Sequence, residues 1–216
     1  MNRRVLLAFT TLLFLTVAAA SARSEVNKSI RIADGEALEE SLSTVNGSIT
    51  IGSGAAIQGK IESVNGTVRV GDDSRVVNAS TVNGTLRIGE RVLVEEDLQT
   101  VNGTVRAAAG TTVEGSVMAI NGAIRLAGVS VTQDVSTVNG GVELSNGAQV
   151  GGDLIVLKTK SRNYYRKDKP VVLKLTGGSV VRGDLVNEDS DRPVRLILSG
   201  GSEVEGSTEG VEVVRE

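Results

Sequence analysis

The residues best suited to chemistry are cations grouped in one short segment. Residues 158–170 hold six lysines and arginines around two adjacent tyrosines, with Asp168 as the single acid. Such a segment could grip an acidic partner through charge and through stacking on the tyrosine rings. The candidate binding residues of this basic loop are Lys158, Lys160, Arg162, Tyr164, Tyr165, Arg166, Lys167 and Lys169.

A second set of cations recurs at a regular interval. Arg69, Arg87, Arg106 and Arg125 each stand between two apolar residues, 18 or 19 residues apart. Side chains of a strand alternate between its faces, so the four arginines would share an outer face if the repeats stack. This arginine stripe suits a repeating anion such as an acidic glycan or a lipid headgroup. The alternative is a solvated face on which long side chains fan apart and shield the sheet.

Several kinds of chemistry are excluded by composition. The chain contains no histidine and no cysteine. Histidine-dependent acyltransferases and zinc carbonic anhydrases built on short-coil β-helices are therefore excluded, as are disulfides and Cys/His metal sites. No phosphate loop or calcium-binding repeat is present. We predict a non-enzymatic protein with no catalytic residue, no metal site and no cofactor.

Asn-Gly dyads recur through most of the chain at steps of 19, 18, 19, 19 and 18 residues. Self-similarity at a fixed period is typical of repeat architectures. The dyads begin at Asn46, Asn65, Asn83, Asn102, Asn121 and Asn139.

Aligning the chain on these dyads produces columns of apolar residues. Two columns lie two positions apart, as in a strand with one buried face, and two more follow in each repeat. A fifth directly precedes the dyads: Val45, Val64, Val82, Val101, Ile120 and Val138. We predict an all-β, single-stranded β-solenoid of about nine to ten coils with an 18–19-residue repeat.

A meander of hairpins is the alternative fold, because Asn-Gly between apolar alternations is a strong hairpin signal. A solenoid explains better why the same residue recurs at the same place, since stacking brings equivalent residues to about 4.8 Å. The six asparagines are then expected to form a ladder of side-chain amides at one corner, with Asn or Gly adopting positive φ.

Residues 1–22 are predicted to be a signal peptide. Arg3 and Arg4 precede an apolar run at 5–20, and a small-residue cleavage site follows at 20–22. An uncleaved anchor is the alternative, but the run is shorter than the roughly 20 residues that span a bilayer. We therefore expect a periplasmic or secreted protein that is not a lipoprotein and has no transmembrane segment after cleavage.

The remaining residues, 23–216, are predicted to form one β-solenoid domain with corner-loop insertions at 158–170 and 187–193. Both insertions follow a Gly-Asp-Leu triplet, so both replace the corner where Asn-Gly stands in earlier coils. They should protrude side by side. The second is acidic, and the two loops could simply neutralise each other.

Charge and chain ends limit the partners. The cleaved chain keeps 21 basic and 26 acidic residues, which gives no general attraction to nucleic acid. The expected partners are an acidic envelope polymer or another envelope protein.

The glutamate-rich end, 203–216, should repel a copy of itself, whereas the lead at 24–28 is too short for a capping helix. We predict a monomer, with head-to-tail self-assembly open at the N-terminal edge.

Two segments carry a family resemblance. Residues 148–154 and 179–185 read AQVGGDL and SVVRGDL, and this pattern resembles the coils of the bactofilin family. The Val-Asn-Gly coils are similar to exported bacterial repeat proteins grouped as adhesins. The bactofilin resemblance implies a cytoskeletal polymer. The predicted signal peptide departs from the pattern of that family. We interpret the chain as a cell-envelope scaffold or surface interaction (adhesin-like) module. The alternative is a protein that binds an acidic polymer through the basic loop and the arginine stripe.

Overall fold

Parallel strands stack along the whole of the chain that the structure describes. This computed structural model describes residues 22–158 and 169–216, and in those ranges it contains strands and turns but no helix. The strands form one β-solenoid of about ten turns with a spacing near 19 residues, which confirms the predicted fold class. Residues 1–21 lie outside the described residues, so the signal peptide stays a prediction.

The strands are, in chain order, β1 (Ala22–Glu25), β2 (Ile30–Ile32), β3 (Ala37–Leu38), β4 (Ser41–Asn46), β5 (Ile49–Ile51), β6 (Ala56–Asn65), β7 (Val68–Val70), β8 (Arg75–Ile88), β9 (Leu93–Val94), β10 (Leu98–Ala107), β11 (Thr112–Val113), β12 (Val117–Asn121), β13 (Ile124–Ala127), β14 (Ser130–Val131), β15 (Val135–Thr137), β16 (Val142–Ser145), β17 (Gln149–Val150), β18 (Leu154–Val156), β19 (Val171–Leu175), β20 (Val180–Val181), β21 (Leu185–Asn187), β22 (Val194–Leu198), β23 (Glu203–Val204) and β24 (Glu212–Arg215).

Each turn of the solenoid has three faces. The first face contains β2, β5, β7, β13, β16, β19, β22 and β24, together with the ends of β8 and β10. The second contains β3, β9, β11, β14, β17, β20 and β23, together with the starts of β6 and β8. The third contains β1, β4, β12, β15, β18 and β21, together with the end of β6, the middle of β8 and the start of β10. We name the corners that follow these faces the left-handed corner, the Gly-Asp corner and the Asn-Gly corner.

The core is a narrow aliphatic column inside the three faces. Two residues of each first-face strand point inward, and Ile49 and Ile51 are exposed by no more than 1%. Valine and isoleucine suit these positions because branched side chains pack well on a pleated surface. Burying each side chain contributes roughly 1.5 to 3 kcal/mol. The first four predicted apolar columns are buried, apart from Leu38 and Val204 near the ends, which are half-buried.

The fifth apolar column lies outside the central core, and only Val138 of its six members is buried, in a separate small cluster. Val45 is 41% exposed, whereas the preceding Thr44 is only 3% exposed. Alternation along β4 is the reason, because Leu42 points inward and the next inward residue lies two positions on. The buried hydroxyl needs a partner, and Thr44 Oγ1 donates to the carbonyl oxygen of Lys28 at 2.9 Å.

A ladder of side-chain amides runs up the Asn-Gly corner, as predicted. Each asparagine donates from Nδ2 to Oδ1 of the asparagine in the preceding coil, at 2.7 to 2.9 Å. Sequence reasoning missed the first member, Asn27, because lysine rather than glycine follows it. The ladder comprises Asn27, Asn46, Asn65, Asn83, Asn102, Asn121 and Asn139.

The predicted positive φ at this corner is wrong for every ladder residue except Asn27. Glycine is required there because the backbones approach closely. A Cβ added to Gly103 would lie 1.6 Å from the carbonyl oxygen of Gly84. The left-handed residues cluster at the left-handed corner instead, where the seventh dyad, Asn146-Gly147, forms a turn with φ of 56° and 72°.

The Gly-Asp corner uses a different link. Asp134 Oδ1 accepts the backbone N–H of Asp153, and Asp153 Oδ1 accepts that of Asp184, both at 2.8 Å. Glycine leaves room for the carboxylate, since a Cβ on Gly152 would lie 2.2 Å from Asp134 Oδ1. The Gly-Asp-Leu triplet is thus a stacking device whose leucine is buried in the core.

The two insertions interrupt the Asn-Gly corner without interrupting the stack. Leu154 still pairs with Leu185, and Val142 with Leu173. Their bases adjoin, because the backbone N–H of Lys158 donates to Glu188 Oε2 at 3.3 Å. Residues 159–168 of the first insertion lie outside the described residues.

The second insertion exposes most of its residues but buries two of them against the stack. Asp189 is 2% exposed and Arg192 is 8% exposed. The Arg192 guanidinium donates to Asn139 Oδ1 at 2.9 Å and to the carbonyl oxygen of Val138. The coil after Asn139 has Lys158 at the ladder position, two residues beyond Val156, which pairs with Thr137. Arg192 therefore provides the donor that ends the ladder.

Both ends of the described chain are strands. The lead at 24–28 was expected to precede the first strand, but its first two residues belong to β1, which pairs with β4 in parallel. At the other end β24 pairs with β22 and completes the partial tenth turn. No helix within the described residues is long and apolar enough to cross a membrane.

Candidate binding surface

The arginine stripe lies on the outer side of the first face. Arg69, Arg87, Arg106 and Arg125 occupy adjacent positions in parallel register, and all four are exposed. Neighbouring strands lie about 4.8 Å apart, so the four side chains span roughly 14 Å along the solenoid axis. The sequence therefore located this stripe correctly, and the fold brings its members together.

Most of the stripe has no internal counter-charge. Within residues 22–158 and 169–216, Arg69, Arg87 and Arg106 form no ion pair with a carboxylate. Arg125 pairs with Glu143, its neighbour in the next coil, at 3.5 Å. Like charges on adjacent strands are unfavourable, so an anion laid across the stripe would relieve their repulsion.

Some arginines elsewhere on the surface are neutralised by carboxylates. Arg75 on the second face pairs with Glu95 at 2.5 Å, and Arg91 at the left-handed corner pairs with Asp73 at 2.6 Å. The hydrogen bond from Arg91 lowers the pKa of Asp73, and the carboxylate in turn raises the pKa of Arg91. The bond to Glu95 likewise raises the pKa of Arg75. Arg31, Arg182 and Arg215 are also exposed without an ion pair in the described residues, so what distinguishes the stripe is the stacking of its cations in adjacent coils.

A column of hydroxyl groups accompanies the stripe. Thr67, Thr85 and Thr104 each lie two residues before a stripe arginine and are partly exposed on the same face. Two residues of strand separate the columns by about 6.6 Å. Three successive coils therefore present a hydroxyl group and a guanidinium group side by side.

A shallow groove of about 210 Å³ opens at the C-terminal end of the stripe. It forms where Ala123 and Gly141 take the places that threonine fills in the preceding coils, with the 38% exposed Val172 beyond them. Sequence reasoning missed this groove, although the loss of threonine at Ala123 was a visible signal. It is lined by Ala123, Ile124, Arg125, Gly141, Val142, Glu143, Val172 and Lys174.

The basic loop starts and ends beside this face. Lys158 and Lys169 are exposed, and Pro170 leads directly into β19, which carries Lys174 in the register of the stripe. The C-terminal end of the loop, Pro170, therefore lies two residues before Val172, which lines the groove. The other candidate residues lie outside the described residues: Lys160, Arg162, Tyr164, Tyr165, Arg166 and Lys167.

Two further features lie at the Asn-Gly corner. A cavity of about 430 Å³ separates the second insertion from Glu209 and Gly210. A small apolar cluster centred on Val138, Ile155 and Leu157 covers the outer side of the third face.

Across the two described ranges, no group of three or more acidic, histidine or cysteine side chains could hold a metal ion.

Comparison with known proteins identified no protein similar to this chain. No family model matches the chain, and neither a curated protein nor a solved structure is significantly similar to it.

Proposed function

We propose that this protein is a non-enzymatic, exported β-solenoid that acts as a cell-envelope scaffold or surface interaction module. The observation that carries the proposal is the continuous stack of parallel strands from β1 to β24. Ten turns at about 4.8 Å each make a rod roughly 48 Å long. Such a rod holds faces and corners at fixed spacings, which suits a scaffold.

Side-chain links support this proposal because they stiffen the rod at two corners. The asparagine ladder joins seven coils, and aspartate Oδ1 atoms accept backbone N–H groups at the Gly-Asp corner. The core is filled by aliphatic side chains, so a partner would bind a face, a corner or an end.

Cell fractionation and sedimentation of the purified protein test the scaffold proposal. We expect the protein in the envelope or medium, processed after residue 22, and sedimenting as an elongated monomer at micromolar concentration. Because the chain is net acidic, any assembly should weaken as salt falls and repulsion is less screened. Retention in the cytoplasm would contradict export, and large polymers at both low and high salt would contradict the monomer.

A second candidate function is recognition of an acidic polymer, and the unpaired arginines of the stripe favour it. A polymer that neutralises several cations releases its counterions, so its retention should fall steeply as salt rises. Retention on an immobilised anionic glycan tests this function. Replacing Arg69, Arg87 and Arg106 by glutamine tests the stripe, and deleting residues 158–170 tests the basic loop. Retention unchanged in both variants would contradict this second function.

A further inference from the structure

We infer that the groove beside Arg125 is a subsite for one unit of a linear acidic polysaccharide, whose chain runs along the arginine stripe parallel to the solenoid axis. This inference rests on the second candidate function and names its ligand class. The carboxylate of the bound sugar would meet Lys174, or Arg125 in exchange for its ion pair with Glu143, and its ring would lie over Ala123 and Gly141.

Side-chain size in the outer column supports a bound ring at this place. Threonine fills that column at Thr67, Thr85 and Thr104, whereas Ala123 and Gly141 leave it open over two consecutive coils. Two coils amount to about 9.6 Å of open surface along the axis. Val172 closes the far side and is exposed, so it offers apolar contact to the face of a sugar ring.

Glu143 distinguishes a sugar acid from other polyanions. It stands in the column of cations between Arg125 and Lys174, and its side chain is 48% exposed. A carboxylate there would repel a polymer that carries only phosphate groups. A sugar acid also carries hydroxyl groups, and Glu143 can accept hydrogen bonds from them while the flanking cations bind the carboxylate.

Other anions fit the described face less well. Single-stranded nucleic acid is usually held by aromatic side chains on which its bases stack, and no aromatic residue occurs within residues 22–158 and 169–216. Anionic lipid headgroups would require a flat array of cations, which Glu143 interrupts. The hydroxyl column and the groove together favour a polymer of sugar acids.

Calorimetric titration of the purified protein with oligogalacturonate, a linear chain of sugar acids, tests the inference. At about 0.15 M salt, where the screening length is about 8 Å, we expect measurable binding. Arg125→Gln should weaken it by about tenfold because a charge-assisted contact is lost. Ala123→Thr, which copies the preceding coils, should fill the groove and weaken binding by about fivefold. Arg75→Gln is the matched control and should change binding by less than about twofold.

Inorganic polyphosphate and vesicles containing phosphatidylglycerol serve as the comparison probes. Glu143→Gln should weaken oligogalacturonate binding, because a hydroxyl acceptor loses its charge, and should strengthen polyphosphate binding. If Glu143→Gln strengthens both, or if Ala123→Thr has no effect, the sugar subsite is wrong. Binding of polyphosphate or vesicles without oligogalacturonate would overturn this inference while leaving polymer recognition in place. Binding of none of the three probes would overturn both.

Discussion

The Asn-Gly corner and the left-handed corner both depend on glycine, for different physical reasons. At the Asn-Gly corner a Cβ on Gly103 would lie 1.6 Å from the carbonyl oxygen of the coil before it, although φ there is not positive. At the left-handed corner Gly35 has a φ of 68° and nothing within 4 Å of an added Cβ. Gly103 is therefore required because the neighbouring coil leaves no room for a side chain. Gly35 is favoured only because its backbone has a positive φ.

This difference explains which corner varies. The left-handed corner accepts Asp73, Arg91 and Asn146 at positive φ, because a side chain there points into solvent at a modest backbone cost. The Asn-Gly corner keeps its glycine in every coil from Gly47 to Gly140 and then stops, where insertions replace it. Where the coils stack this closely, the corner either keeps glycine or is replaced as a whole by an insertion.

Gly103→Ala should have the largest effect of the predicted changes. The added methyl group overlaps a main-chain oxygen that cannot move without shifting a whole coil, so we expect a loss of about 3 kcal/mol or more in the free energy of unfolding. Gly35→Ala is the matched control at the left-handed corner, with an expected loss of about 1 to 2 kcal/mol from backbone strain alone. Chemical denaturation measures both. Equal losses would remove the distinction between the corners.

Arg192→Ala should have the next largest effect, confined to the end of the ladder. The change leaves Asn139 Oδ1 and the Val138 carbonyl oxygen without this donor, which should cost about 1 to 3 kcal/mol. Faster hydrogen exchange should appear in residues 187–193 and spare the first coils. Arg182→Ala, which removes an exposed arginine bonded to Gln149, is the control and should be nearly neutral. Similar losses in the two variants would contradict the capping role.

Asn102→Asp should break the ladder in its middle. Asn102 donates to Asn83 and accepts from Asn121, so a carboxylate would set one oxygen against the Asn83 oxygen. Because the side chain is exposed, we expect a loss of about 1 to 2 kcal/mol, measured by thermal denaturation above pH 6.

Asn139→Asp is the matched control, because Arg192 would attract the new charge and offset part of the loss. A larger loss in the free energy of unfolding for Asn139→Asp than for Asn102→Asp would contradict the assignment of Arg192 as the donor to residue 139.

Shortening residues 158–170 to an Asn-Gly turn is the one change that should cost no stability. The main-chain pairing on both sides, Val142 with Leu173 and Leu154 with Leu185, does not depend on the loop. We expect no loss in the free energy of unfolding and a gain of at most about 1.5 kcal/mol, since thirteen residues become two and each halving of a loop lowers its closure cost by about 0.6 kcal/mol. The same replacement at 187–193 also removes Arg192 and should cost more. Loss of folding in the first variant would show that the basic loop is a structural clasp.

Much of the fold could be predicted from the sequence because equivalent positions in stacked coils share one environment. The recurrence of Asn102 and its relatives indicated both the period and the ladder. The hydrophobic columns did not predict that Thr44 is buried while Val45 beside it is 41% exposed. The threonine is an inward-facing residue of β4. Its burial depends on a hydroxyl bond to a carbonyl oxygen in another coil, which no local pattern reveals.

The candidate site could be predicted only in part. The arginine stripe follows from the repeat, because register brings equivalent positions together. The groove beside Arg125 depends on the absence of side chains at Ala123 and Gly141, and a missing side chain gives a weak signal in a sequence. The position of Arg192 at the end of the ladder required knowledge of how the second insertion folds back, which its composition does not determine.

Exchange of side-chain amide protons, followed by nuclear magnetic resonance, tests most directly the claim that an asparagine ladder joins the coils. Asn102 and Asn146 are both exposed and both precede glycine, but only Asn102 is bonded above and below. We predict that the Nδ2 protons of Asn102 exchange with solvent at least about tenfold more slowly than those of Asn146, as expected for amides held in hydrogen bonds. Equal exchange rates at the two asparagines would contradict the ladder.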